Sequence, residues 1–178
     1  MYLYIIEGLD KTGKTTYTKN KFAGYSKIRL PGGFEYTHEM RRFFMEGKIP
    51  HFEMIHVIFG EHMAALQHLY YNNTESYVLD RSFISYLVYQ KELLIKYGYY
   101  DTYKKLLEEM FGRLSEKYEI RILYFSKRLV QRKDDWLEYM DADELKNNFD
   151  ELLGQETYSR YVDNIDIECK CNGKHISY

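Results

Sequence analysis

Gly8, Leu9, Asp10, Lys11, Thr12, Gly13, Lys14 and Thr15 follow directly on the apolar run Tyr2 to Ile6 and fit the pattern G-x-x-x-x-G-K-[ST]. In such a P-loop, backbone N–H groups and a helix N-terminus cradle phosphate oxygens, the lysine reaches the outer phosphates and the threonine hydroxyl takes Mg²⁺. Gly8, Thr12, Gly13, Lys14, Thr15 and Thr16 are therefore candidate ATP-binding residues, with Lys14 the candidate catalytic cation. The setting between a short strand pattern and a helix pattern is what the motif requires.

Asp80 ends the apolar run Tyr77 to Asp80. A carboxylate at a strand end can reach Mg²⁺ or its water beside Thr15, and it can equally cap the next helix. Arg81, Ser85 and Tyr89 then recur at i, i+4 and i+8, one helical face of guanidinium, hydroxyl and phenol. Such a row suits a nucleotide, with phosphate near Arg81 and sugar and base further along; a solvated face is the plain alternative.

The elements that must hold these groups alternate. Strand patterns cover Tyr2 to Ile6, Ser26 to Arg29, Tyr77 to Asp80 and Glu119 to Phe125. Helix patterns cover Lys14 to Phe22, about Tyr36 to Met45, about His51 to Tyr71 and Ser82 to about Lys96, with Ser82 as the cap. Two more carry Tyr103, Leu106, Leu107, Met110 and Leu114, and Leu145, Phe149, Leu152 and Leu153, in phase. Ile165 to Cys171, the Asn172-Gly173 turn and Lys174 to Tyr178 predict a terminal hairpin. Alternation of this kind implies crossover connections, a mostly parallel sheet covered on both faces, and ligands beyond the carboxyl ends of the strands, where Gly8, Pro31 and Asp80 would lie.

The 178 residues fit one compact domain, with no linker or composition break. A net charge of −2 lacks the basic excess of a nucleic-acid binder. Cys169 and Cys171 alternate within one strand pattern and point to opposite faces, which predicts two reduced thiols. The N-terminal apolar run is too short for a signal segment and no stretch approaches a membrane span, so a soluble cytoplasmic protein is expected.

Three ordered segments, Glu7 to Thr16 (EGLDKTGKTT), Arg29 to Gly33 (RLPGG) with Arg41, and Asp80 to Gln90 (DRSFISYLVYQ), closely resemble thymidylate kinases. The resemblance implies a three-layer P-loop kinase fold, α/β, as a single domain over 1–178 with a short lid near 126–140. It implies transfer of the γ-phosphate of ATP to dTMP, with Mg²⁺ held by Thr15 and Asp80. Asp10 would contact the sugar of the monophosphate, and Lys11 would be a basic catalytic residue of the loop. Arg41 and Arg81 would hold the acceptor phosphate, with Pro31 in the adjoining substrate segment. Phe59 would stack on the pyrimidine, Ser85 would approach the base, and Tyr89 would sit against the sugar. Arg128 and Arg132, flanked by Lys127 and Lys133, resemble the lid that closes over the donor phosphates; a solvated basic face is the plain reading of that spacing. The family also implies a homodimer, to which the His51 to Tyr71 helix could contribute.

The chain departs from the family in four places. Met63, preceded by His62, stands where an acceptor-phosphate arginine is usual. Phe34 replaces a common threonine, and Ser82 replaces an aromatic residue or histidine. The segment after Phe125 lacks the usual longer helix before the lid. A deoxynucleoside kinase, where D-R-S and R-x-x-x-R occur too, or a broader-specificity deoxynucleoside monophosphate kinase is the alternative reading; Asp10, the RLPGG segment and Arg41 favour an acceptor that already carries phosphate. A non-catalytic nucleotide-binding module is the reading of another class. No N-K-x-D guanine motif is present.

Overall fold

A computed structural model describes residues 1–9, 12–30, 39, 42–43, 46–72, 74–127 and 141–165. Strands β1 (Tyr2–Gly8), β2 (Ser26–Arg29), β3 (Tyr77–Asp80), β4 (Glu119–Phe125) and β5 (Val162–Asn164) form one sheet in the order β2-β3-β1-β4-β5. Every pairing is parallel. Helices α1 (Lys14–Lys21), α2 (His51–Tyr71), α3 (Phe83–Tyr89), α4 (Lys91–Lys96), α5 (Tyr100–Ser115), α6 (Ala142–Leu153) and α7 (Glu156–Ser159) run between and beyond these strands.

Strand alternation divides the core in two. Leu3, Ile5, Leu79, Ile120 and Ile122 face a large cluster built from α2, α3, α5 and α6, whereas Ile6, Val78, Leu123 and Phe125 face a small one with Phe22 and Tyr17 of the α1 side. The sheet is thus covered on both faces, as the alternation of elements predicts. The apolar stripe of α2 lies in the large cluster: Met54, Ile55, Ile58, Ala65, Leu66 and Leu69 are all buried there.

β2, β3 and β4 begin and end where the sequence patterns place them, and β1 runs on to Gly8. Two elements differ. The helix after Ser82 breaks at Gln90 into α3 and α4 rather than running unbroken to Lys96. The last described strand is Val162–Asn164, ahead of the expected start at Ile165, and it pairs Ile122 with Val162 and Tyr124 with Asn164. Its short polar sequence carries no alternation to detect. The terminal hairpin with Cys169 and Cys171, the lid positions 128–140 and most of the segment from Tyr36 to Met45 lie outside the described residues. Among the described residues, no helix is long and apolar enough to cross a membrane.

Candidate active site

β1 sits between β3 and β4, and the chain leaves it toward β2 on one side and later crosses to β4 on the other. This is the switch-point arrangement that opens a crevice at the strand carboxyl ends. Gly8 closes β1 there with φ +126°, opposite Phe125 of β4. A Cβ at position 8 would lie 2.1 Å from the Phe125 carbonyl oxygen, so a glycine is needed for the two backbones to approach this closely. Gly13, left-handed at φ 85°, turns the loop into α1. The first turn of α1 carries no acidic residue, which leaves its positive dipole end suited to an anion. Thr15 and Thr16 are exposed on that turn. The Lys14 ammonium is buried and donates to the Gly8 carbonyl at 3.0 Å, to the Leu9 carbonyl and to Thr12 Oγ1 at 3.2 Å. Thr12 Oγ1 in turn donates to the Leu9 carbonyl at 3.0 Å, which ties the loop to its own lysine.

The second half of the site hangs from the neighbouring strand. Asp80 is in register with Ile6 of β1 and Arg29 of β2. Arg81 follows with φ 69°, a left-handed conformation that costs a non-glycine residue about 1–3 kcal/mol and that clusters at functional sites. Its N–H donates to the Ile6 carbonyl at 3.1 Å, so the turn is pinned to β1. Arg81 precedes α3 rather than opening it, yet its side chain meets the expected partners: Nη1 donates to Ser85 Oγ at 3.2 Å, and the guanidinium lies 5.2 Å from the Tyr89 ring centre. Arg81, Ser85 and Tyr89 therefore form the row that the i, i+4, i+8 spacing predicts.

Glu7 holds this row from below. Alternation along β1 puts it on the large-core face, and it is fully buried. Its Oε1 accepts from the Ser82 N–H at 2.7 Å and the Ser82 hydroxyl at 2.6 Å, and its Oε2 accepts from the Ser85 hydroxyl. Burial raises the Glu7 carboxyl above its ordinary range; the Ser82 and Ser85 hydrogen bonds and the Arg81 charge pull it back down in part. Ser82 also caps α3, its hydroxyl accepting from the Ile84 N–H at 3.1 Å. The serine that departs from the resembled family thus has two structural uses. Sequence reasoning overlooked Glu7 as a site residue, although a carboxylate inside an otherwise apolar strand is a signal that demands partners.

Solved structures carry the same architecture. A thymidylate kinase from Candida albicans superposes with a TM-score of 0.63 at 18% identity, over 96% of this chain and 85% of that one. A deoxyadenosine kinase from M. mycoides with bound dATP gives 0.57 at 17%, over 94% and 93%. A thymidylate kinase from Ehrlichia chaffeensis gives 0.55 at 15%, over 94% and 91%. The chain has a P-loop kinase fold. No family model matches it, and no curated protein matches it by sequence.

On that P-loop kinase fold the remaining expected residues fall in two groups. Asp10, Lys11, Pro31, Arg41, Arg128 and Arg132 lie outside the described residues. Phe59 is half-buried on α2 and stacks on Tyr103 of α5, with ring centres 3.8 Å apart and planes 12° from parallel. The stack extends to His56, whose Nδ1 is hydrogen-bonded to the Tyr103 hydroxyl, and to Tyr99 and the partly exposed Phe52. One face of Phe59 is therefore taken by the protein. His62 is fully buried with its ring 5.3 Å from Tyr86, and Met63 packs on the main core.

Mg²⁺ fits this donor set. Thr15 and Asp80 offer a hydroxyl and a carboxylate at the same strand-end edge, hard oxygens of the kind that hold Mg²⁺ together with waters and substrate phosphates. Among the described residues no group of three or more His, Cys, Asp or Glu could cage a metal. A cation here would take most of its ligands from phosphate and water.

Proposed function

We propose that this chain is a single-domain nucleoside monophosphate kinase that transfers the γ-phosphoryl group of ATP to dTMP, giving ADP and dTDP for dTTP synthesis. The observation that carries the reading is the shared edge: a phosphate-cradling loop at the end of β1 and an Arg81, Ser85, Tyr89 row at the end of the adjacent β3, joined by the Arg81 to Ile6 hydrogen bond.

In this reading the loop and the α1 N-terminus hold the ATP phosphates, and Lys14 exchanges its carbonyl partners for phosphate oxygens. Thr15 and Asp80 would hold Mg²⁺, which offsets phosphate charge. Arg81 and Arg41 clamp the acceptor phosphate, whose oxygen forms the new bond to the γ-phosphorus as the bond to the β,γ-bridging oxygen breaks. That acceptor oxygen is already anionic, so no general base is needed; alignment and charge suffice. Asp10 and Lys11 complete the loop, Pro31 borders the acceptor, and Arg128 and Arg132 close over the donor. The base stacks on the face of Phe59 opposite Tyr103, and Tyr89 screens the sugar. The enzyme would work in the cytoplasm as a homodimer, which analytical ultracentrifugation checks.

The test is ADP release with ATP and Mg²⁺ against a panel of acceptors. Turnover of dTMP supports the reading. Turnover of thymidine with no monophosphate accepted replaces it with a deoxynucleoside kinase, and binding of ATP and dTMP without ADP release replaces it with a binding module.

A further inference from the structure

A serine hydroxyl has one proton to give and lone pairs to accept with. In this site Ser85 donates that proton to Glu7 Oε2 and accepts from Arg81 Nη1 at 3.2 Å. Direction therefore runs one way, from Arg81 through Ser85 to Glu7. The far end is fixed: Glu7 is fully buried, and the backbone and side chain of Ser82 hold its other oxygen. The near end is half-buried and backed by the Tyr89 ring. A carboxylate buried beneath a guanidinium that itself sits on a strained turn is a costly arrangement for the fold alone. A functional arginine needs this kind of support, because its long side chain otherwise samples many rotamers.

We propose that Glu7 and Ser85 are positioning residues, which aim the Arg81 guanidinium at the acceptor through this one-way chain of hydrogen bonds. Ser85 then serves the arginine rather than reading the base. The proposal rests on the assignment of Arg81 to the acceptor site made above. Glu7→Gln keeps the shape but leaves one oxygen, which the donor-only Ser82 N–H claims; the N–H₂ group then faces Ser85, whose hydroxyl proton loses the acceptor that orients its lone pair toward Arg81. Ser85→Ala removes the link and leaves the Glu7 to Ser82 bonds intact.

The experiment is a double-variant cycle with Arg81→Ala, read on the Michaelis constants for acceptor and for ATP, using whichever acceptor the wild-type protein turns over. Glu7→Gln and Ser85→Ala should each raise the acceptor KM about tenfold or more with the ATP KM nearly unchanged, and neither should worsen Arg81→Ala. Effects that add to Arg81→Ala, or KM values that rise together for both substrates, overturn the proposal. Should Glu7→Gln not fold, Ser85→Ala carries the cycle alone. A wild type that turns over thymidine and no monophosphate ends the dTMP reading while the Glu7–Arg81 coupling is still measured, on thymidine. A wild type with neither turnover nor dTMP binding by calorimetry overturns both.

Discussion

Replacing Gly8 by alanine should damage the protein at the joint between its sheet and its phosphate loop. The new methyl would start 2.1 Å from the Phe125 carbonyl oxygen, and real Cβ contacts essentially never fall under 3.0 Å, so β4 or β1 must yield by at least 0.9 Å. That oxygen belongs to the backbone of the last residue of β4, paired in register with Gly8, and cannot rotate away as a side chain could. Overpacking of this kind costs about 1–3 kcal/mol. Holding alanine at φ +126° adds about 1–2 kcal/mol by analogy with other left-handed conformations. The expected loss is therefore about 2–5 kcal/mol, a large share of the ~5–15 kcal/mol that stabilises a typical domain. Urea unfolding measures it directly, with Gly112→Ala as the internal control. Gly112 lies inside α5 with nothing within 4 Å of its would-be Cβ, so alanine there should stabilise by about 0.5–1 kcal/mol through helix propensity. A Gly8→Ala protein within 1 kcal/mol of wild type, measured beside a well-behaved control, refutes the close-approach argument.

On the proposed reading, Lys14→Ala should lower turnover about 10²-fold or more while circular dichroism stays native, since its charge would act chiefly where phosphoryl charge develops; a near-normal rate removes Lys14 from catalysis. Ser82→Ala gives up the α3 cap and the hydroxyl bond to Glu7, for a loss of about 2–4 kcal/mol in chemical denaturation; a loss under 1 kcal/mol contradicts the bonding described. The Glu7 carboxyl is raised in the folded protein by burial, so the native state binds its proton more tightly than the unfolded chain does. Its contribution to stability is then full below the ordinary carboxylate range and declines as pH rises from there through the folded value. The stability difference between wild type and Glu7→Gln should follow that slope across the window, and a flat difference counts against a raised Glu7.

Local chemistry made much of this molecule readable. The P-loop announces itself because glycine, lysine and threonine at fixed spacing are needed to wrap phosphate, and buried parallel strands such as Tyr77 to Asp80 read as short apolar runs. The helix pattern over His51 to Tyr71 was equally plain. Glu7 was hidden because one-dimensional spacing does not show which strand lies beneath which helix: its partners Ser82 and Ser85 lie 75 and 78 residues away. The Phe59 to Tyr103 stack was hidden for the same reason, being a contact between α2 and α5. β5 escaped because it is only three residues long and lies at an edge, where Val162, Asp163 and Asn164 show no alternating pattern and the Asp163 to Arg121 contact joins residues far apart in sequence.

The pinning of Arg81 to Ile6 makes the sheet act as a caliper. Neighbouring strands keep a spacing of about 4.8 Å whatever the loops above them do. On the proposed reading, the jaws for donor and acceptor would be machined into adjacent rails, so that drift in surface segments would leave their gap unaltered. On the same reading, selection for a different base would act on the aromatic wall around Phe59 and Tyr103, a separate part of the instrument, without recalibrating the distance a phosphoryl group would travel.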